Sequence, residues 1–269
     1  MATKAQKLSF QDASFLRLES AARPFHVAGL MLFSPPEKAG KNYLRQLVQK
    51  CGRLNELWPV FDQKLKDPES LRNAAWIEAD DYDPAYHVQH YALPAPGRLE
   101  DLLTLVSRAH ERVLDRNRPL WELHVIEGLQ GDRFAIYCKV HHALVDGVGA
   151  LRMIDALFSD SAGKRVDFKK AEVLAREHHE KYQPLRQLGR AGAELRRHSR
   201  ALPQVYTHLA SMGRDALLGR KDAPPLPFTA PHTVFNTDID ARREIILSQL
   251  PLKQLRTLAT RSGGTLNEV

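Results

Sequence analysis

Cysteine is scarce. Cys51 and Cys138 are the only two in 269 residues, too few for a disulfide framework, so a reducing cytoplasm is the expected setting. Long apolar runs are missing as well. Val27 to Phe33 is among the longest, far short of the roughly 20 residues that cross a bilayer as a helix. The opening Met1-Ala-Thr-Lys-Ala-Gln-Lys7 leads into no apolar core of signal-peptide length. Membrane contact is therefore expected to be peripheral. The one strongly basic stretch has only Tyr182 and Tyr206 as aromatics, neither of them interleaved among the arginines from Arg186 to Arg200 for base stacking. Residues 181–221 carry nine Lys/Arg against Glu194 and Asp215, an excess of seven that equals the net charge of the whole chain, +7. The remainder is electrically balanced. Within it, Leu185, Leu188, Gly192, Leu195, Ser199 and Leu202 follow a 3–4 spacing, a helix with a narrow apolar stripe and a basic flank. A solvated surface helix and docking to an anionic membrane or lipid-droplet surface both fit. On the second reading Arg190, Arg196, Arg197 and Arg200 are the membrane-contact candidates. Nucleic acid is disfavoured, because no stacking aromatics are interleaved among those arginines and no recognition motif is present.

What is present is ordinary in bulk: 43% hydrophobic and 26% charged residues, as in a soluble globular protein with a substantial core and one or two domains. The informative stretch is His141-His142-Ala-Leu-Val-Asp146-Gly147. The run before it alternates: Phe134, Ile136, Cys138 and Val140 share one face of a strand, and Ala135, Tyr137 and Lys139 the other. After Gly147 the period becomes helical, with Val148, Leu151, Ile154 and Phe158 in step. The histidines thus stand where a strand ends and the chain turns into a helix. A neutral imidazole, with an unperturbed pKa of about 6.5, takes a proton from a hydroxyl near pH 7. No nucleophilic side chain is needed if the substrate supplies the hydroxyl and the electrophile is an activated thioester. One nitrogen of His142 would act as base while a hydrogen bond to the other fixes the tautomer. Asp146 could support the loop through an ion pair or simply cap the helix; Gly147 leaves room for substrate or permits a positive φ. Gly147-Val148-Gly149 with Asp167 beyond is not a dinucleotide fingerprint, since Arg152 stands at the third glycine. A metal fits poorly too, because adjacent histidines on a strand point to opposite faces.

Along the chain, residues 12–20 read as a short helix and His26 to Ser34 as a buried strand. Asn42 is a candidate cap for a helix bearing Leu44, Leu47, Val48 and Cys51. Residues 54–80 read as irregular, with Trp58 and Trp76 in the core. Asp80 to Asp83 with His87 and His90 invites a metal, but on a strand the two histidines face opposite sides, so a plain surface strand is expected. Leu99 to Leu114 reads as a helix with Leu103, Val106, His110, Val113 and Leu114 in step. Trp121 to Leu129 and Arg133 to Val140 form a hairpin across Gln130-Gly131-Asp132, which puts Pro119-Leu120-Trp121 at the end where His141 emerges. Trp121 is expected to be a core anchor. Pro224-Pro225-Leu226-Pro227 and Pro231 mark a stiff connector. Arg243 to Leu250 reads as a strand and Pro251 opens a helix ending at Ser262-Gly263-Gly264. Thr265-Leu266-Asn267-Glu268 is a capping box, one residue before the last.

The histidine motif, preceded by Asn117-Arg118-Pro119-Leu120-Trp121-Glu122-Leu123-His124-Val125, together with Asp12-Ala-Ser-Phe-Leu-Arg-Leu-Glu19 and Pro24-Phe-His-Val27, resembles the bacterial wax ester synthase/diacylglycerol acyltransferase family. That family belongs to the chloramphenicol-acetyltransferase-like, CoA-dependent superfamily, which also holds peptide-synthetase condensation domains. The resemblance spans the chain and is weakest between about residues 160 and 225. It implies a two-layer α/β acyltransferase fold of which this is the N-terminal half. Residues 1–222 would be the domain with the histidine motif, including a basic helical segment, 168–221, and residues 223–269 the connector and start of a C-terminal domain. Family members carry Asn-Asp where this chain has Asn267-Glu268 and then continue into the second domain, so the chain reads as cut short. The resemblance implies transfer of a long-chain acyl group from acyl-CoA to a fatty alcohol or to diacylglycerol. His142 would be the base, His141, Asp146 and Gly147 its motif partners, Asn267 a candidate oxyanion donor, and Pro119, Leu120 and Trp121 a structural motif. No metal or prosthetic group is implied; acyl-CoA is a substrate. Expected partners are the two substrates, the chain's own C-terminal domain and an anionic surface at the inner membrane or lipid inclusions. An enzyme using carrier-protein thioesters and a non-catalytic lipid-binding module are the alternatives.

Overall fold

The computed structural model of the chain describes residues 5–145, 154, 158 and 232–269. Its centre is a four-stranded sheet in the order β2 (His26–Phe33), β7 (Arg133–His141), β6 (Trp121–Leu129), β5 (Val88–Ala92). The first three strands are antiparallel neighbours, and β5 runs parallel to β6. Parallel neighbours need a crossover, here α5 (Leu99–Glu111), which lies over one face of the sheet. Leu102, Val106 and Ala109 of α5 pack there on Ile126, Leu129, Ala135 and Tyr137. The opposite face carries the larger core, in which Trp121, Leu123, Val125, Ile136 and Val140 meet Leu16 of α1 (Phe10–Leu18), Trp58 and Phe61. Both faces of β6 and β7 are thereby buried. The alternation along β7 is the expected one, with Ile136 and Val140 in one core and Ala135 and Tyr137 in the other.

Several expectations are corrected. Residues 54–80 are not irregular: α3 (Leu54–Leu57), β3 (Gln63–Leu65) and β4 (Ala75–Glu78) form there, and β1 (Gln6–Lys7) completes a second sheet ordered β1-β4-β3. Strands of two to four residues show too little alternation to be read, although Trp58 and Trp76 are buried as expected. His87 is not on a surface strand. It ends the short helix α4 (Pro84–His87), is fully buried, and stacks between Tyr82 and Trp121 at centroid distances of 5.1 and 4.8 Å. The long helix stops at Glu111 rather than Leu114, and its inner face is Leu102, Val106, Ser107 and Ala109, so Val113 is exposed. Arg243 to Leu250 forms no ladder. Its amides at Arg243 and Ile245 bond to Glu111 and Ser107 side chains of α5, at 3.2 and 3.0 Å, in place of a neighbouring strand.

Other elements follow the sequence closely. α2 (Tyr43–Cys51) turns Leu44, Leu47, Val48 and Cys51 toward the core, although Asn42 makes no side-chain capping bond. α6 (Leu252–Ser262) ends at Gly263, whose φ of 69° is the left-handed C-terminal stop that favours glycine. Beyond it, Thr265 donates its amide to Glu268 at 2.6 Å, over a single turn from Leu266 to Glu268. Phe158 bonds back to the Ile154 carbonyl at 3.1 Å, in helical register. Asp146, Gly147, residues 148–153 and 155–157, residues 159–231 with the basic segment and its arginines, and the proline-rich connector lie outside the described residues.

Candidate active site

The site is built where β7 ends. Trp121 pairs with Val140 across the hairpin, and His141 donates its amide to the Leu120 carbonyl at 2.9 Å. Pro119-Leu120-Trp121 therefore sits beside the histidines, with Leu120 and Trp121 fully buried. Trp121 donates Nε1–H to the Phe61 carbonyl at 2.9 Å and accepts, at its own carbonyl, from Nδ1 of His87 at 2.8 Å. On the other side, His26 of β2 is in register with His141, and His142 donates its amide to Phe25 O at 2.8 Å. After His141 the chain turns tightly. Ala143 donates to Nδ1 of His141 at 3.0 Å and Leu144 to its carbonyl at 2.9 Å.

The two histidines have opposite surroundings. His141 is fully buried, and its Nε2 approaches Oε1 of Glu19 at 3.3 Å, an ion-pair separation without hydrogen-bond alignment. Because Nδ1 accepts from Ala143, Nε2 carries the proton and faces the carboxylate. Burial on its own would raise the Glu19 pKa. His141, the Phe25 amide at 3.2 Å and the Arg116 guanidinium at 3.1 Å outweigh it and hold the carboxyl at about 2. His142 is half-buried, its ring 4.6 Å from that of Phe15, which in turn lies 5.5 Å from Phe25. Its Nδ1 is buried with no hydrogen-bond partner among the described residues. The turn thus presents one imidazole against an aromatic wall and buries the other as a scaffold.

The remaining candidates separate. Asn267 stands exposed on the final turn and is hydrogen-bonded to neither histidine. His90 pairs with Glu127 at 3.6 Å, and among the described residues no three His, Cys, Asp or Glu side chains gather as a metal set. A concavity of about 730 Å³ between α5 and residues 240–245 contains none of the histidine turn. Glu19 and Arg116 were not singled out by their chemistry from sequence. Glu19 closes the Asp12–Glu19 run, but its meeting with a histidine so distant along the chain leaves no local pattern.

Residues 8–269 match the family model described as wax ester synthase/diacylglycerol acyltransferase catalytic domain. A probable diacylglycerol O-acyltransferase of Mycobacterium tuberculosis is 36% identical over 268 residues, which cover 96% of this chain and 56% of that one. The O-acyltransferase WSD of Acinetobacter baylyi is 32% identical, over 96% of this chain and 55% of its own. Among solved structures, the wax ester synthase/diacylglycerol acyltransferase of Marinobacter aquaeolei superposes with a TM-score of 0.66 at 32% identity, covering 97% of this chain and 57% of that one. The chain spans about half the length of the relatives it matches.

Proposed function

The chain belongs to the wax ester synthase/diacylglycerol acyltransferase family, and from that premise we propose that it carries the histidine base of an O-acyltransferase that moves a long-chain acyl group from acyl-CoA to a fatty alcohol or to diacylglycerol. The observation that carries this reading is the division of labour at the strand end: His141 buried on Glu19, and His142 half-buried against Phe15. His142 takes the proton from the acceptor hydroxyl as its oxygen attacks the thioester carbonyl. Collapse of the tetrahedral intermediate breaks the carbon–sulfur bond, and the imidazolium returns the proton to the departing CoA thiolate. The developing oxyanion needs a donor. Asn267 is our candidate, which requires the final turn to approach the histidines when the protein is complete. Asp146 and Gly147 complete the motif. No metal or prosthetic group enters the scheme.

The half-length match makes the rest of the protein part of the proposal: a second domain would close the site and form the remaining substrate walls. No helix among the described residues is long and apolar enough to cross a membrane. We place the protein in the cytoplasm, held peripherally at the inner membrane or lipid inclusions by the basic flank that bears Arg190, Arg196, Arg197 and Arg200.

The test is release of CoA thiol from palmitoyl-CoA by the full gene product, with hexadecanol, diacylglycerol or no acceptor. Acceptor-dependent release should fall by a factor of about 10² or more in His142→Ala. Retention of most activity at saturating substrates would dismiss His142 as the base. No release with either acceptor, from a folded protein, would favour a carrier-protein thioester enzyme or a lipid-binding role.

A further inference from the structure

Beneath α5 the sheet carries polar side chains that the proposed reaction does not use: His26 of β2, Glu122 and His124 of β6, Tyr137 and Lys139 of β7, with His110 of α5 above them. Lys139 is the hub. Its side chain is wholly buried, yet an ammonium brings three donors, and three acceptors surround it. These are Oε2 of Glu122 at 3.1 Å and the carbonyls of Ala109 and Arg112, each at 2.9 Å. The ring Nε2 of His26 lies 2.8 Å from the His110 carbonyl between them. These carbonyls belong to the last turn of α5 and its cap, where no intrahelical partner exists and the helix end is negative. Lys139 therefore ends α5 at Arg112 and sets the direction in which the chain leaves.

That chain is the loop from Val113 to Leu120, and it returns to the same strand at two points. Leu120 accepts the amide of His141 at 2.9 Å. Arg116 donates to the Leu16 carbonyl at 2.6 Å and to Glu19 at 3.1 Å, and Glu19 faces His141. The path closes on itself: Lys139 fixes the end of α5, the loop fixes Glu19 and Leu120, and these fix His141, two residues beyond Lys139. His141 then shapes the turn that presents His142, through Ala143 and Leu144.

We propose that Lys139 is a positioning residue for the His141–His142 turn, acting through the capped end of α5 and the Arg116–Glu19 pair. The inference rests on the acyltransferase reading for its kinetic consequence and on geometry alone for its structural one. The test is amide hydrogen exchange of the full protein, paired with the CoA-release assay, on Lys139→Met combined with Glu122→Gln, so that no unpaired carboxylate is left behind. Exchange at His141, Ala143, Leu144 and the 113–120 loop should accelerate at least tenfold. The amides of Leu8 and Lys66, bonded in the other sheet to Ala74 and Ala75, should keep their wild-type rates. kcat should fall at least tenfold with KM for acyl-CoA within twofold, and Lys139→Arg should restore most of both. Unchanged exchange at the turn would overturn the proposal. So would uniform acceleration throughout the chain, the mark of a merely structural lysine, or a loosened turn with unchanged kcat. A wild-type protein that releases no CoA would sink the acyltransferase reading, while the exchange pattern would still decide the role of Lys139.

Discussion

At the scale of single residues, the charge on Glu19 is the feature on which the histidine turn depends. Its carboxylate has Arg116, the Phe25 amide and His141 around it in a pocket that leaves its side chain 3% exposed. Glu19→Gln keeps the shape and removes the charge, so Arg116 loses its ion pair and one Glu19 contact must become a donor facing a donor. Losing a charge-assisted hydrogen bond costs about 1.5–3 kcal/mol, and sub-ångström misplacement of a proton acceptor is felt strongly in rate. We expect the urea midpoint to drop, with kcat for acceptor-dependent CoA release falling about 10- to 100-fold. A variant as active as wild type would show that His141 holds the turn without it. The histidines themselves were legible, because two histidines at a strand end followed by Asp-Gly form a local pattern. Glu19, Arg116 and Lys139 were visible only as members of a helix, a loop and a strand. Their chemistry comes from contacts between distant segments, which no periodicity encodes.

At the scale of elements, the position of α5 over the sheet decides where the loop to β6 begins, and its entry is fixed by a glycine contact. Gly97, at φ 66°, lies against the irregular pairing of β6 at Gly128. A Cβ added to it would stand 1.7 Å from the Gly128 carbonyl oxygen. Gln130 donates to the Gly97 carbonyl at 2.9 Å, locking the same approach. Gly97→Ala must displace backbone and adopt a strained φ, each costing on the order of 1–3 kcal/mol, so we expect a loss of several degrees in Tm or more in a thermal melt. A melt identical to wild type would mean the loop detaches freely from β6. The long elements β2, β6, β7, α2 and α6 could be read from sequence because each has enough residues to display its period. β1, β3, β4 and α4 could not, being two to four residues long and held by tertiary contacts such as the stack of Tyr82, His87 and Trp121. Arg243 to Leu250 has a strand's composition but forms no ladder, and its amides at Arg243 and Ile245 bond to side chains of α5 instead.

At the scale of the whole molecule, the interior holds several titratable groups in one protonation state, and their sum sets how the fold responds to acid. His26 is pushed down to about 4, chiefly by burial and then by the Lys139 and His110 charges; burial also lowers His87 and His110. These histidines are neutral in the folded state at pH 7, and the His110 charge acts on His26 only in acid. Once the pH drops below about 6.5 the unfolded chain binds protons that the folded one refuses, so stability declines from there toward pH 4. For His26 alone the loss is on the order of 2 kcal/mol after solvent screening. Glu19 and Glu122 act lower. Burial opposes their ionisation, but Glu19 with its partners, and Glu122 with His124 and Lys139, are held at about 2. Their contribution is intact above the ordinary carboxyl value near 4.5 and is lost as the pH falls from there toward 2. Two stages of acid destabilisation follow, and urea midpoints at pH 7, 6, 5, 4 and 3 separate the first from the second. His26→Gln should flatten the slope between pH 6.5 and 4 and leave the lower stage in place. A midpoint constant from pH 7 to 5 would mean that these rings take up protons without cost, and so that the polar layer beneath α5 is open to water. Because the first stage removes folded protein, part of any acid loss of activity should track unfolding. Rates measured alongside fluorescence of the folded state would divide the two.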